Sequence, residues 1–230
     1  MAYISSYEIF ERNQDYSKLI CTVKIPYIVE QLLMRNIYTC FISSNAVFSD
    51  TKSIPSEYDT TSPSFHYGIY KSKTEEAILR ISEKLKKNKF LSILRLTKNV
   101  SNDSSPFNQW IKNINKKNDI NVFKDLYFSP ILFQKSAEVV FKLLSNQNEG
   151  IFHFSGKSDI SYYDFADGFF NFANINKELI NISSPKKLNI KIHYKNHITS
   201  LDMKITQDIL NIKPMELLEI YSYLKKFIRY

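Results

Sequence analysis

Glycine is scarce in this chain of 230 residues, which has four in all, at positions 68, 150, 156 and 168. An average protein contains about 7% glycine. Neither a Gly-x-Gly-x-x-Gly turn nor a Gly-rich phosphate loop can be assembled from glycines at these positions. The sequence therefore predicts that the turn which usually binds the pyrophosphate of a dinucleotide is absent from this polypeptide.

Cysteine is scarcer still, since Cys21 and Cys40 are the only two. Two cysteines do not build a disulfide scaffold, and no His or Cys partners stand at the spacing of a zinc site, so no metal is expected. The first residues, MAYISSYEIFERNQ, lack the basic start and apolar run of a signal peptide. No stretch reaches the roughly 18 apolar residues of a membrane span. These absences predict a cytoplasmic protein without a membrane partner.

Positive charge is in excess, with 31 Lys and Arg against 23 Asp and Glu, and the pI is near 9.2. Such a surplus permits nucleic acid, an anionic membrane surface or a phosphorylated small molecule as a partner. The lysine cluster EKLKKNK at 83 to 89 is interpreted as a solvated helix face. Because neither a reading helix nor an aromatic sheet face can be recognised, no nucleic-acid partner is predicted.

The first half of the chain reads as two apolar strands joined by a long helix. Apolar spacing predicts a helix over 22 to 35, a strand over 37 to 43, a long helix over 67 to 87 and a strand over 90 to 96. Strands with so little alternation are typical of a parallel sheet covered on both faces. The polar loop between the first strand and the long helix is a candidate functional loop because of its length.

The second half is less regular but continues the mixed pattern. Helices are predicted at about 106 to 116, 133 to 145, 161 to 173, 203 to 211 and 214 to 227, and short strands at 120 to 123, 150 to 155 and 188 to 194. The aromatic run YYDFADGFFNF is interpreted as core. The sequence therefore predicts an α/β fold with a βαβ core and a mixed appendage.

Tyr67 and Lys71 stand four residues apart near the start of the long helix, so both side chains lie on one helix face. With 15 Tyr in a lysine-rich chain, about one or two such pairs arise by chance. A second pair, Tyr221 and Lys225, is interpreted as a helix surface. Spacing alone therefore leaves open whether Tyr67 and Lys71 are a catalytic pair or an exposed aromatic beside a solvated charge.

The surroundings of Tyr67 are more specific than the pair. CFISSNAVFSD ends a predicted strand near Ser44, and SPSFHYGIYKSKTEE follows after the polar loop. This order resembles the extended short-chain dehydrogenase/reductase superfamily, in which a Ser or Thr at a strand end precedes Tyr-Gly-x-x-Lys on the next helix. The matching residues are Ser44, Val47, Phe48, Pro63, Tyr67, Gly68, Lys71 and Glu75 or Glu76.

Later segments extend the resemblance over nearly the whole chain. GIFHFSGKSDISYYDFADGFF, at 150 to 170, resembles a strand and helix of the superfamily's substrate region, and SLDMKITQDILNIKP, at 200 to 214, resembles its closing segment. Together they indicate the branch typified by dTDP-4-dehydrorhamnose reductase. The resemblance implies that residues 1 to 100 form the C-terminal part of a Rossmann-like NAD(P)-binding domain. Residues 101 to 230 would then be mainly substrate-binding, with some elements returning to the main sheet.

The resemblance also implies a reaction: reduction, dependent on NADPH or NADH, of a nucleotide-linked 4-keto sugar in surface polysaccharide biosynthesis. Ser44, Tyr67 and Lys71 would be catalytic, and Tyr67 and Lys71 would also contact the cofactor. Arg95, at a strand end, is the candidate contact for the diphosphate of the nucleotide-sugar substrate. His66 and His153 are interpreted as structural. Epimerisation or dehydration of the same substrate class stays open.

In that superfamily a β-α-β-α-β segment with the Gly-rich turn precedes the part that this chain resembles. The sheet is therefore expected to be incomplete, with an apolar edge that a partner chain or a second copy would complete. The alternative is a non-catalytic fragment, or a binding or regulatory subunit of the same fold.

Overall fold

The computed structural model describes residue 10 and residues 13–48, 53–188 and 197–229. Its central sheet has three parallel strands in the order β1-β2-β7. These are β1 (Thr39–Ser44), β2 (Leu91–Leu96) and β7 (Gly150–Phe154). Because the strands are parallel, their carboxyl ends meet at one edge, where Ser44 pairs with Leu96 and Leu96 with Phe154. The predicted α/β class with a Rossmann-like parallel sheet is confirmed.

Helices cover both faces of this sheet. The elements on one face are α1 (Gln14–Leu19), a π-helical segment (Ile20–Lys24), α2 (Ile25–Met34) and α3 (His66–Leu85). There Leu33 of α2 and Ile78 of α3 pack against Phe41 and Ile93 of the strands. The opposite face is covered by α5 (Phe133–Asn146). Every residue of β2 is buried, which explains its lack of alternation.

The remaining residues that the structure describes include three two-stranded pairs and four α-helices. The pairs are β3 (Lys98–Val100) with β6 (Pro130–Leu132), β4 (Ile120–Val122) with β9 (Ile180–Ile182), and β5 (Tyr127–Phe128) with β8 (Ile160–Ser161). The helices are α4 (Phe107–Asn115), α6 (Tyr162–Ala173), α7 (Lys204–Leu210) and α8 (Leu217–Lys225). The five helices predicted for the second half of the chain are confirmed with small differences at their ends, whereas the helix predicted over 22 to 35 continues a helical stretch that begins at Gln14. Most of the predicted strand at 188 to 194 lies outside the described residues.

Aromatic side chains build the core of this second region. Phe165 and Phe169 of α6 are buried, as the sequence predicts, and both contact the ring of Tyr221. Tyr221 is therefore core, and its interpretation as helix surface is wrong. Gly168 explains the fit, because a Cβ on it would lie 2.5 Å from the Tyr221 hydroxyl. Across the described ranges, no helix combines the length and the apolar character that crossing a membrane requires.

Candidate active site

Ser44 ends β1 and is held by the turn that follows it. Its Oγ accepts a hydrogen bond of 3.2 Å from the Ala46 N–H and lies 3.2 Å from Asn45 Oδ1, to which its hydroxyl donates. Ser44 thus caps the short 3-10 turn Asn45–Val47. A strand-end cap fixes the position of the hydroxyl at the carboxyl edge of the sheet.

Gly68 allows the start of α3 to lie directly against this turn. A Cβ at position 68 would stand 2.1 Å from the carbonyl oxygen of Ala46 and 3.1 Å from Cβ of Pro63. No side chain larger than hydrogen fits between these backbones. The glycine of Tyr-Gly-x-x-Lys therefore brings Tyr67 on α3 to the strand end that carries Ser44.

Lys71, one helical turn after Tyr67, is buried beneath the strand end. Its Nζ donates a hydrogen bond of 2.8 Å to the Ile42 carbonyl and lies 4.8 Å from the centre of the Phe41 ring. The same ammonium is 5.9 Å from the centre of the Tyr67 ring. A positive charge at such a distance favours the ionised form of an acidic group. The structure thus brings Ser44, Tyr67 and Lys71 around one junction of β1 and α3.

Tyr67 itself belongs to an aromatic cluster. Its side chain is 7% exposed, packs edge-on against Phe10 with ring centres 5.0 Å apart, and stacks on Phe65 at 6.3 Å. Lys71 is 2% exposed. The alternative of an exposed aromatic beside a solvated charge is therefore excluded.

Arg95 is placed differently from what its predicted role requires. Its guanidinium is buried and pairs with Glu75 on α3, with Nη2 2.7 Å from Oε2, and it lies 4.9 Å from the centre of the Phe48 ring. Its Nη1 is 3.3 Å from Nε2 of His153. The sequence left Glu75 and Glu76 open, and the structure selects Glu75, because Glu76 pairs with Arg80 on the surface. This geometry favours a structural role for Arg95, tying α3 to β2, over contact with a diphosphate.

His153 completes this buried group. Its Nδ1 is 2.8 Å from the carbonyl oxygen of Asp202, so Nδ1 donates and Nε2 accepts from Arg95. Burial, and next the neighbouring Arg95 charge, lower the pKa of His153 to about 3. A neutral imidazole with both nitrogens bonded inside the protein agrees with the structural role predicted for it. His66 lies at the first position of α3, beside Tyr70.

The closing segment is fastened to the Ser44 turn by residues that sequence reasoning missed. Asn45 Nδ2 donates to the Thr199 carbonyl at 2.8 Å. Asp159 Oδ1 accepts from both the N–H and the hydroxyl of Thr199 at 2.7 Å, and its Oδ2 accepts from the Ser200 hydroxyl. The network runs from Asp159 through Thr199 and Asn45 to Ser44. The resemblance of the segment SLD to the superfamily's closing segment indicated its place in the fold. It did not indicate the hydrogen bond to Asp159, which stands 40 residues before Thr199.

A parallel sheet with helices on both faces, and Ser, Tyr and Lys at its carboxyl edge, defines a Rossmann-like protein of the extended short-chain dehydrogenase/reductase superfamily. The family model for the RmlD substrate binding domain matches residues 2–217, and the chain belongs to this family. No curated protein sequence matches it.

Solved structures with the same fold include sugar-nucleotide enzymes. A dTDP-4-dehydrorhamnose reductase from Clostridium acetobutylicum has a TM-score of 0.79 at 20% identity, covering 98% of this chain and 78% of its own. The Bacillus anthracis reductase, in complex with NADP, has a TM-score of 0.78 at 18% identity, covering 98% and 77%. The dTDP-glucose 4,6-dehydratase DesIV from Streptomyces venezuelae, with NAD bound, has a TM-score of 0.79 at 10% identity, covering 99% and 71%. Identities this low establish a shared fold.

Proposed function

We propose that this chain carries the active site of a sugar-nucleotide reductase, which reduces a nucleotide-linked 4-keto sugar with NADPH or NADH. The observation that supports the proposal is the junction of β1 and α3, where Gly68 packs against Ala46 of the turn after Ser44, and Lys71 bonds to the Ile42 carbonyl of β1. Membership of the RmlD substrate binding domain family supports the substrate class.

Each of the three residues has a distinct task in this reaction. The Ser44 hydroxyl hydrogen-bonds the keto oxygen and polarises the carbonyl. The Tyr67 hydroxyl gives its proton to that oxygen as the carbonyl carbon accepts a hydride, so that the ketone becomes an alcohol. A phenol, with an ordinary pKa of about 10, needs stabilisation of its anion near neutral pH, and the Lys71 ammonium provides it. A reduced nicotinamide, when bound, supplies the hydride.

Tyr67 and Lys71 suit the nicotinamide end of such a cofactor, whereas the glycines of this chain do not suit its pyrophosphate. An ammonium and a phenol one helical turn apart suit a nicotinamide ribose, and Tyr67 and Lys71 would hold it. The glycines that meet close neighbours serve packing: Gly68 faces Ala46, Gly156 faces Pro130, and Gly168 faces Tyr221. None of the four glycines forms a turn that cradles pyrophosphate, so that group needs other residues.

A partner chain or second copy that completes the sheet belongs to the same proposal. Within the described residues, β1 has a strand neighbour on one side only, β2. Among the described residues no strand pairs with the other edge of β1, and an edge of this kind favours pairing with a further strand. The pyrophosphate could then be held outside the described sheet.

The scarcity of glycine in this sequence also supports a second candidate, a binding or regulatory subunit that keeps the fold without turnover. Nicotinamide fluorescence during titration with NADPH and NADH separates the two. The reductase predicts binding that Lys71→Met weakens, and turnover of a dTDP-linked 4-keto sugar that Tyr67→Phe lowers about 100-fold or more. Tyr58→Phe and Lys112→Met, both on the surface, are matched controls. No binding at millimolar cofactor would favour the binding subunit.

A further inference from the structure

Lys98 lies two residues after the carboxyl end of β2, the central strand of the sheet, and begins β3. Its N–H donates to the Ser129 carbonyl at 3.1 Å, and the N–H of the preceding Thr97 donates to the Phe154 carbonyl at 3.2 Å. The backbone is therefore fixed on both sides at this point. Ligands of open parallel sheets bind outside the carboxyl ends of the strands, so Lys98 stands at the ligand side of the sheet.

Two polar side chains at this strand end have no hydrogen-bond partner among the described residues. The Thr97 hydroxyl is buried, with the residue 6% exposed, and has no hydrogen-bond partner. The Lys98 side chain makes no hydrogen bond or ion pair with any described residue. Buried polar groups in proteins are normally paired, so each of these needs an explanation.

Lys98 is enclosed by the surrounding protein but keeps part of its surface accessible. Lys98 is half-buried, and its enclosure lowers the pKa of the ammonium through loss of solvation. No carboxylate among the described residues offsets this loss. Arg95, three positions earlier, differs in this respect, since Glu75 neutralises it. A charge that is enclosed, accessible and without a counter-ion is suited to an anionic ligand.

The direction of Lys98 follows from its neighbour. Asn99 Oδ1 accepts a hydrogen bond of 2.6 Å from Ser136 on α5, so Asn99 faces that helix. Because successive side chains of a strand point to opposite faces, Lys98 lies on the face of β3 away from α5.

We propose that Lys98 binds the diphosphate of the nucleotide-sugar substrate, the role that the sequence assigned to Arg95. This inference rests on the proposed function and deepens it. Lys98 lies two residues beyond Leu96, the register partner of Ser44, which is about 7 Å along an extended chain. In a pyranose, the keto carbon at position 4 and the diphosphate-bearing carbon at position 1 are on opposite sides of the ring. A sugar spanning Ser44 and Lys98 would thus present its carbonyl to one and its diphosphate to the other.

Calorimetry with the full chain tests the proposal without turnover. The probes are dTDP, UDP, inorganic pyrophosphate and the neutral nucleoside thymidine. We expect Lys98→Met to weaken the binding of dTDP at least tenfold and to leave the binding of thymidine unchanged. Lys98→Arg should retain most of the affinity for dTDP. The control Lys112→Met, on the exposed side of α4, should bind dTDP as the unchanged protein does. Pyrophosphate should compete with dTDP in the unchanged protein only, which assigns the contact to the diphosphate and not to the base.

A second experiment measures the pKa of the Lys98 amine directly. Carbon-13 methylation of lysines allows NMR titration of each amine, with the Lys98 signal identified by its loss in Lys98→Arg. We expect an apparent pKa below that of the surface lysines, and a rise when dTDP is added. The thermal unfolding temperature of Lys98→Met should not fall, because the substitution removes an enclosed unpaired charge.

The outcomes separate this inference from the function on which it rests. Equal dTDP affinity in Lys98→Met and the unchanged protein would overturn the role of Lys98 and leave the reductase proposal in place. Binding of dTDP that depends on Lys98, without reduction of any dTDP-linked 4-keto sugar, would support Lys98 and remove the reductase proposal. Failure of dTDP, UDP and pyrophosphate to bind would overturn the role of Lys98.

Discussion

Glu75 and Arg95 form an ion pair of 2.7 Å in which both side chains are only 3% exposed. Glu75 lies on the helix that carries Tyr67 and Lys71, and Arg95 lies on the central strand, so the pair fastens the catalytic helix to the sheet. Removing one partner of a buried pair leaves the other charge without compensation. We expect Glu75→Gln to lower the free energy of unfolding by about 3 to 5 kcal/mol, measured by urea denaturation.

The adjacent glutamate provides a matched control. Glu76 pairs with Arg80 on the solvent face of the same helix, where both side chains are more than half exposed. Glu76→Gln should therefore change the free energy of unfolding by less than about 1 kcal/mol. Similar effects of the two substitutions would contradict the structural role given to the Glu75–Arg95 pair.

Gly68 makes a backbone contact that no rearrangement of side chains can relieve. Gly68→Ala would force the start of α3 away from the Ala46 carbonyl. We expect a loss of about 1 to 3 kcal/mol in the free energy of unfolding, together with loss of cofactor binding, because the Tyr67–Lys71 turn moves away from Ser44. Urea denaturation and nicotinamide fluorescence measure the two effects.

Gly168 is the comparison for Gly68, because its close neighbour is the end of a side chain. Gly168→Ala should destabilise the protein through the Tyr221 hydroxyl, 2.5 Å from the new Cβ, and Tyr221→Phe in the same chain should restore part of the loss. If Tyr221→Phe gives no rescue, the packing explanation for Gly168 fails.

Asp159 holds the closing segment by accepting hydrogen bonds from Thr199 and Ser200. Asp159→Ala would leave their N–H groups and hydroxyls without this acceptor, and we expect a loss of about 2 to 3 kcal/mol. Hydrogen exchange should rise at these amides first, and at Asn45 next, since Asn45 bonds to the Thr199 carbonyl. Asp167→Ala, which removes the ion pair with Lys177 and a hydrogen bond from Asn171, should leave exchange at 199 and 200 unchanged.

The main elements around the site could be predicted from the sequence because they follow local rules. The strands β1 and β2 are continuous apolar runs, and α3 has helical spacing over its length. The motif residues Ser44, Gly68 and Tyr67 were identified by their resemblance to the superfamily's pattern, and the structure packs the helix that carries Gly68 and Tyr67 against the turn after Ser44. The division of the chain at residue 100 stays a prediction, although β7, from the second half, joins the main sheet.

The surroundings of some residues could not be predicted because contacts between positions far apart in the sequence determine them. Nothing local shows that Glu75 neutralises Arg95 from 20 residues away, so the sequence could not predict the buried ion pair of Arg95. Tyr221 was misjudged because its pair with Lys225 lacked a motif around it, whereas its ring packs in the core together with Leu224 and its hydroxyl fits against Gly168. The two-residue strands β5 and β8 form only because tertiary packing brings them together.

His153 makes stability depend on pH in a definite direction. Its pKa is lowered to about 3 in the folded protein by burial and by Arg95, whereas the ordinary value is about 6.5. Between these values the unfolded chain binds a proton at this histidine that the folded protein does not. The contribution of neutral His153 to the free energy of unfolding is therefore fully present above pH 6.5 and is lost as the pH falls toward 3. The slope from this group approaches about 1.4 kcal/mol per pH unit.

His153→Gln, which can still donate to the Asp202 carbonyl and accept from Arg95, should flatten the decline of the free energy of unfolding between pH 6 and pH 4, measured by urea denaturation. An equal decline in both proteins would show that other groups govern the acid sensitivity of the fold.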